Sequence, residues 1–181
     1  MLKDKRVRII AGHYGSGKTE FAVNYTMLLA DSGAKTAIAD LDVVNPYFRS
    51  REKESEFLKK GVRVIGSSVR GLSVDVPAVS PEVYGLLQDK SISVVLDVGG
   101  DKVGARALGR YHEYLDNEPY DMFFVLNANR HLTADVEGAV SYLRSIEDGS
   151  RQRFTGIINN THMCGETTIE DFMRGYDLAL E

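Results

Sequence analysis

Residues Gly12 to Glu20 read GHYGSGKTE and follow directly on the apolar run VRIIA. Gly12, Gly17, Lys18 and Thr19 satisfy the spacing G-x-x-x-x-G-K-S/T, whose chemistry is the wrapping of phosphate oxygens by backbone amides. Glycine is required because the backbone must come close to the phosphates and point several N–H groups inward. A helix starting at Lys18 adds its unpaired amides and the positive end of its dipole. Lys18 is placed to reach the β- and γ-phosphates, and the Thr19 hydroxyl to ligate Mg²⁺. His13, Tyr14, Gly15, Ser16 and Glu20 complete the candidate nucleotide-contacting set. The competing reading is a glycine turn with a surface lysine. A candidate strand before the motif and a candidate helix after it favour phosphate.

Two acidic stations accompany the loop. Asp97 ends the strand-like run SVVLD and stands before Gly99 and Gly100. A carboxylate at the end of a strand beside a phosphate loop holds Mg²⁺ or its water shell; an isolated strand-end Asp also serves as a turn cap. The Gly100 N–H is then positioned to sense a γ-phosphate. In DLDVVNP, residues 40–46, Asp40 and Asp42 lie two apart and share a side of an extended segment. Asp40 joins Thr19 and Asp97 as a metal-side candidate, and Asp42 joins Lys18 as a catalytic one by orienting the attacking water. Ordinary turn-forming use of D, N and P is the alternative for this segment.

These residues need a sheet to carry them. Apolar runs at 7–11, 35–40, 62–65, 91–98, 122–127 and 154–160 read as strands without strict alternation, the pattern of a parallel sheet covered on both faces. The intervals are long enough for crossover helices. Phe21, Tyr25 and Leu28 form an apolar stripe on the first helix, which DSG at 31–33 can end. Ser80 and Pro81 read as a helix start leading Val83 and Leu87 onto one face. Val103, Ala107, Tyr111 and Leu115 repeat every four residues; Val136, Val140, Leu143 and Ile146 follow a Thr133 cap; Thr167 and Glu170 have capping-box spacing before Phe172 and Met173. These stripes read as core packing, and RSREKESEFLKK at 49–60 as a solvated helix. The segment 66–80 is the one long irregular connection. Tyr47, Phe48 and Arg49 read equally as partner contacts, as packing, or, for Arg49, as a phosphate-neutralising arginine.

The 181 residues suit one domain, 1–181, of three-layer α/β type with a mostly parallel central sheet and helices on both faces. GYDLALE at the end is still in helical rhythm, which leaves open a further strand and helix. A hydrophobic content of 43% with 27% charged residues excludes a disordered or fibrous chain, and a net charge of −4 argues against a broad nucleic-acid surface. One cysteine, Cys164, excludes an internal disulfide and cannot build a thiolate metal cage. The start MLKDKRVRIIAG is too polar for a signal peptide, and no run approaches a membrane span, so the expected location is cytoplasmic.

Taken in order, GHYGSGKTE, AIADLDVVNP, VVLDVGGD and GIINN resemble the CobQ/CobB/MinD/ParA nucleotide-binding domains, the branch of P-loop NTPases that includes the nitrogenase iron protein. The resemblance covers nearly the whole chain as ordered motifs. It implies Mg-ATP bound at the strand ends, with Lys18 and Thr19 in the phosphate loop, Asp40 and Asp42 in a first switch, and Asp97 with Gly100 in a second. Asn160, with Asn159 as the secondary register, falls where members hold the adenine base. Members form nucleotide-dependent homodimers and switch a protein partner or cargo. One departure matters: His13 and Tyr14 stand where the branch has its signature lysine and a glycine. A neutral imidazole supplies no fixed charge, so His13 reads either as a packed loop residue or as a catalytic replacement.

Three functions follow: a Mg-dependent ATPase switch acting on an unidentified protein partner, a phosphotransferase or ligase acting on a small molecule, and a nucleotide-binding interaction module with little turnover. The segments VLNANRHL and IINNTH lack an N-K-x-D arrangement for guanine, which favours ATP over GTP.

Overall fold

The computed structural model describes residues 4–42, 51–66 and 81–181. Tyr47, Phe48, Arg49, Ser80 and most of the 66–80 connection lie outside them. The strands are β1 (Val7–Ala11), β2 (Thr36–Asp40), β3 (Arg63–Ile65), β4 (Ser93–Asp97), β5 (Tyr120–Leu126) and β6 (Gly156–Asn159). All neighbours pair in parallel, in the order β3-β2-β4-β1-β5-β6. Each of the six expected runs is thus a strand, with ends that differ by at most two residues.

The strands lack alternation because both faces are covered. In β1, Val7, Ile9 and Ala11 enter one core and Ile10 the other. On the first face pack α3 (Glu82–Gln88), α4 (Lys102–Gly109), α5 (His112–Leu115) and α6 (Val136–Ser150), with Leu178 and Ala179 of α7 (Ile169–Leu180). The second face is covered by Ala22, Val23, Tyr25 and Leu29 of α1 (Lys18–Asp31) and by Phe57 of α2 (Arg51–Lys59). The result is the expected three-layer α/β architecture. Arg8 is the polar exception within β1; its buried guanidinium donates to the Tyr25 hydroxyl at 3.1 Å, which offsets the cost of burying a charge.

Several local expectations change. The 103–115 periodicity is two helices, since the chain turns between Gly109 and His112 and places Tyr111 in the core while Val103 stays exposed. Leu28 is exposed too, because α1 buries the Val23 side of its surface. The α6 cap is Asp135, whose carboxylate accepts from the Gly138 N–H at 2.8 Å; Thr133 lies in a short 3₁₀ turn and donates to the Asn127 carbonyl. The capping box is shifted by one, to Thr168 and Asp171. Pro81 stands at the cap position of α3. Phe172 and Met173, expected in the core, are exposed: α7 meets the sheet through Gly175, whose missing side chain admits Thr161 and Asn159.

Candidate functional site

Parallel pairing brings the candidate residues to one end of the sheet. Ile10 is in register with Asp97, and Asp40 with Asp97, so the loop at 12–17 leaves β1 beside two neighbouring carboxylates. This is the carboxyl edge where ligands meet open α/β sheets.

The loop runs from Gly12 into α1. The Ser16 N–H donates to the His13 carbonyl at 3.0 Å and the Phe21 N–H to that of Gly17 at 2.9 Å. Gly15 and Gly17 have φ of 73° and 85°, the left-handed region that favours glycine. Lys18 is buried and its Nζ lies 3.6 Å from an oxygen of the equally buried Asp42. Thr19 donates its hydroxyl to Asp97. Glu20 begins the exposed side of α1, where its carboxylate accepts from Asn24. Tyr14 is 69% exposed at the loop tip.

The three aspartates form an anionic well. Burial, then the adjacent Asp97 charge, pushes the Asp40 carboxyl up to about 7, although the Asp42 N–H donates to it at 2.9 Å and Lys18 pulls the other way. Burial likewise holds Asp97 up at about 6, against the Thr19 hydrogen bond and the Lys18 charge. The Asp97 Oδ1 and Ser16 Oγ atoms are buried without a hydrogen-bond partner. Such orphaned oxygens fit a bound cation and a phosphate, because unpaired buried polar atoms are costly. Among the described residues no three His, Cys, Asp or Glu side chains form a metal cage. Magnesium does not require one, since it typically takes one or two protein oxygens with phosphate and water.

Gly100 stands against the loop. A Cβ added there would meet the Gly12 carbonyl oxygen at 2.6 Å and the Tyr14 nitrogen at 3.0 Å, so only glycine lets the two segments touch. Behind it, the Asp101 carboxylate caps α4 by accepting from the Gly104 N–H. Asn160, after β6, donates from Nδ2 to the Ser16 carbonyl at 2.7 Å, and Gly17 leaves the space for that amide. Gly12, Gly15, Ser16, Gly17, Lys18, Thr19, Asp40, Asp42, Asp97, Gly100 and Asn160 are therefore gathered in one place.

His13 turns inward. Its ring packs edge-on against Tyr142 of α6, centroids 4.6 Å apart, and its Nδ1 is buried without a hydrogen-bond partner. Burial holds its pKa below the ordinary value, and the Arg130 and Lys18 charges push the same way. Packed on Tyr142, the imidazole does not extend from the loop as a lysine in that place would.

Two neighbours escaped the sequence reading. Arg130 donates from Nε to the Gly15 carbonyl at 2.9 Å. The half-buried Asn129 gives its amide to Asp171 while its buried Oδ1 has no hydrogen-bond partner. Both belong to VLNANRHL, which had been considered only for base choice; the contact of Arg130 with the loop follows from β5 lying next to β1.

No family model matches the chain, and no curated protein matches it. Solved structures do. The chloroplast FtsY of Physcomitrella patens superposes with a TM-score of 0.61 at 17% identity, over 99% of this chain and 57% of that one. The cell division protein FtsY of Thermotoga maritima gives 0.56 at 19% identity, over 96% and 58%. The VpsO kinase domain gives 0.50 at 16% identity, over 86% and 83%. The chain thus spans just over half the length of the FtsY structures it matches. The shared property is the fold, a three-layer α/β architecture with a parallel central sheet. The MinD/ParA branch rests on the motifs alone, and these neighbours carry other names.

Proposed function

We propose that the chain binds Mg-ATP at residues 12–20 and hydrolyses it as a switch that acts on a protein partner. The observation that carries this reading is the meeting of the Lys18 and Thr19 loop with Asp40, Asp42 and Asp97, with Gly100 in contact with the same loop. Lys18 would neutralise β,γ-phosphate charge, and Asp42 would orient the attacking water once Lys18 has turned to phosphate. Thr19 and Asp97 would hold Mg²⁺, with Asp40 bonded to its water shell; the ion supplies charge neutralisation at the phosphates. Gly100, touching the loop and preceding α4, would pass the presence of the γ-phosphate to that helix.

ATP is preferred to GTP because guanine needs a free carboxylate acceptor. The Asp171 carboxylate, bonded to Asn129 in the β5 loop, is held near a pKa of 2 by the Thr168 backbone, Asn129 and Arg174 and is fully engaged. GTP is the second reading, since one FtsY neighbour is described in complex with GDP. His13, packed on Tyr142, makes no lysine-like reach to a second protomer, so any nucleotide-dependent homodimer would use other groups.

Calorimetry with Mg-ATP and Mg-GTP, paired with phosphate release, tests the reading. Binding should fall about a hundredfold in Lys18→Ala, the scale expected when a charge-assisted phosphate contact is lost. Unchanged binding in that variant would refute the site. ADP formed with a phosphorylated acceptor and no free phosphate would turn the function to phosphotransfer, and binding without turnover to an interaction module.

A further inference from the structure

Resting on the nucleotide reading above, the structure points to a second cation of the site, supplied in cis. Arg130 follows β5, which is hydrogen-bonded to β1, and therefore emerges beside the phosphate loop. Its Nε donates to the Gly15 carbonyl at 2.9 Å, and its guanidinium carbon is 3.3 Å from where a Gly15 Cβ would stand. Glycine at position 15, at φ 73°, allows both the turn and the close approach. The rest of the exposed guanidinium makes no ion pair among the described residues.

Charge balance gives this contact a purpose. Lys18 faces three carboxylates, Asp40, Asp42 and Asp97, and is already 3.6 Å from one of them. A triphosphate adds more negative charge, and a packed His13 offers none in compensation. Arginine suits the task better than lysine: its planar fork binds two phosphate oxygens at once and stays charged at any working pH. We propose that Arg130 neutralises the terminal phosphate of the bound triphosphate, anchored by its Nε on Gly15 and reaching inward with its terminal nitrogens. In this chain it does from within the protomer what a trans-acting cation does elsewhere. The simpler role would be a clamp that only stiffens the Gly15 turn.

The two roles separate by phosphate number. With the full chain and Mg²⁺, calorimetry compares ADP with a non-hydrolysable ATP analogue for the parent, Arg130→Ala and Arg130→Lys. Arg130→Ala should lose about ten- to a hundredfold in affinity for the triphosphate and keep its affinity for ADP, since the lost contact is a charge-assisted one. Arg130→Lys should recover part of the loss, and millimolar guanidinium should restore triphosphate binding in Arg130→Ala without affecting the parent. Equal losses for both nucleotides, or no loss for either, would overturn the proposal and leave the clamp. If Arg130→Ala does not fold, the same ratio measured in Arg130→Lys decides. A parent that binds neither nucleotide would instead overturn the phosphate site itself.

Discussion

Asp40→Asn removes one charge from the anionic well while keeping an oxygen to accept the Asp42 N–H. In the folded chain the Asp40 pKa rises from 3.8 to about 7, a shift of about three units, or about 4 kcal/mol for the isolated group. Asp97 rises as well, to about 6, and the two neighbours titrate as a pair, so their costs do not add. The sign follows from proton counting. Between the unfolded and folded values the native state holds a proton that the unfolded chain has released, so stability is highest in acid and falls as pH rises towards 7. His13, held below its ordinary value, opposes part of this trend in the parent and cancels in the comparison. Asp40→Asn should therefore be about 2–3 kcal/mol more stable than the parent at pH 8, with the advantage shrinking below pH 5. That corresponds to a rise in melting temperature of roughly 4–12 °C for a chain of this size. Urea titrations at pH 5 and pH 8, without nucleotide or divalent cation, make the measurement. Adding Mg-ATP should narrow the difference, because ligand binding stabilises the parent more. A variant less stable than the parent at pH 8, or a parent whose stability climbs from pH 5 to 8, would refute the electrostatic account.

Gly100→Ala forces a methyl to within 2.6 Å of the Gly12 carbonyl oxygen, which must move. Nucleotide affinity should drop about tenfold or more, with about 1–3 kcal/mol lost from stability, as calorimetry and denaturation would show; unchanged binding would free Gly100 from the site. Asp135→Ala removes the α6 cap and should cost about 1 kcal/mol in urea titrations while leaving nucleotide affinity unchanged.

Much of the fold was legible locally. Strands buried on both faces are written as short apolar runs, and helices as the intervals between them, so the six strands and the layer arrangement follow from pattern alone. The glycine turn between β1 and α1 was equally legible, because its geometry depends on residue types at fixed spacing within one turn. Boundaries were less so. Whether Thr133 or Asp135 caps α6, or Thr167 or Thr168 caps α7, depends on which side chain reaches an N–H, and neighbouring polar residues compete for that place on nearly equal terms.

The sequence by itself determined that a glycine-rich loop ending in Lys18 and Thr19 would stand between a strand and a helix, with Asp40, Asp42 and Asp97 at the ends of other strands. Only the tertiary structure decided which of these meet. The strand order places β4 and β5 on either side of β1, which sets Asp97 and Gly100 on one flank of the loop and Arg130 on the other. The same packing turned His13 inward against Tyr142. Spacing along the chain specifies local geometry because covalent links fix it. Contacts between residues a hundred positions apart depend instead on how the sheet is ordered, and no single segment carries that information.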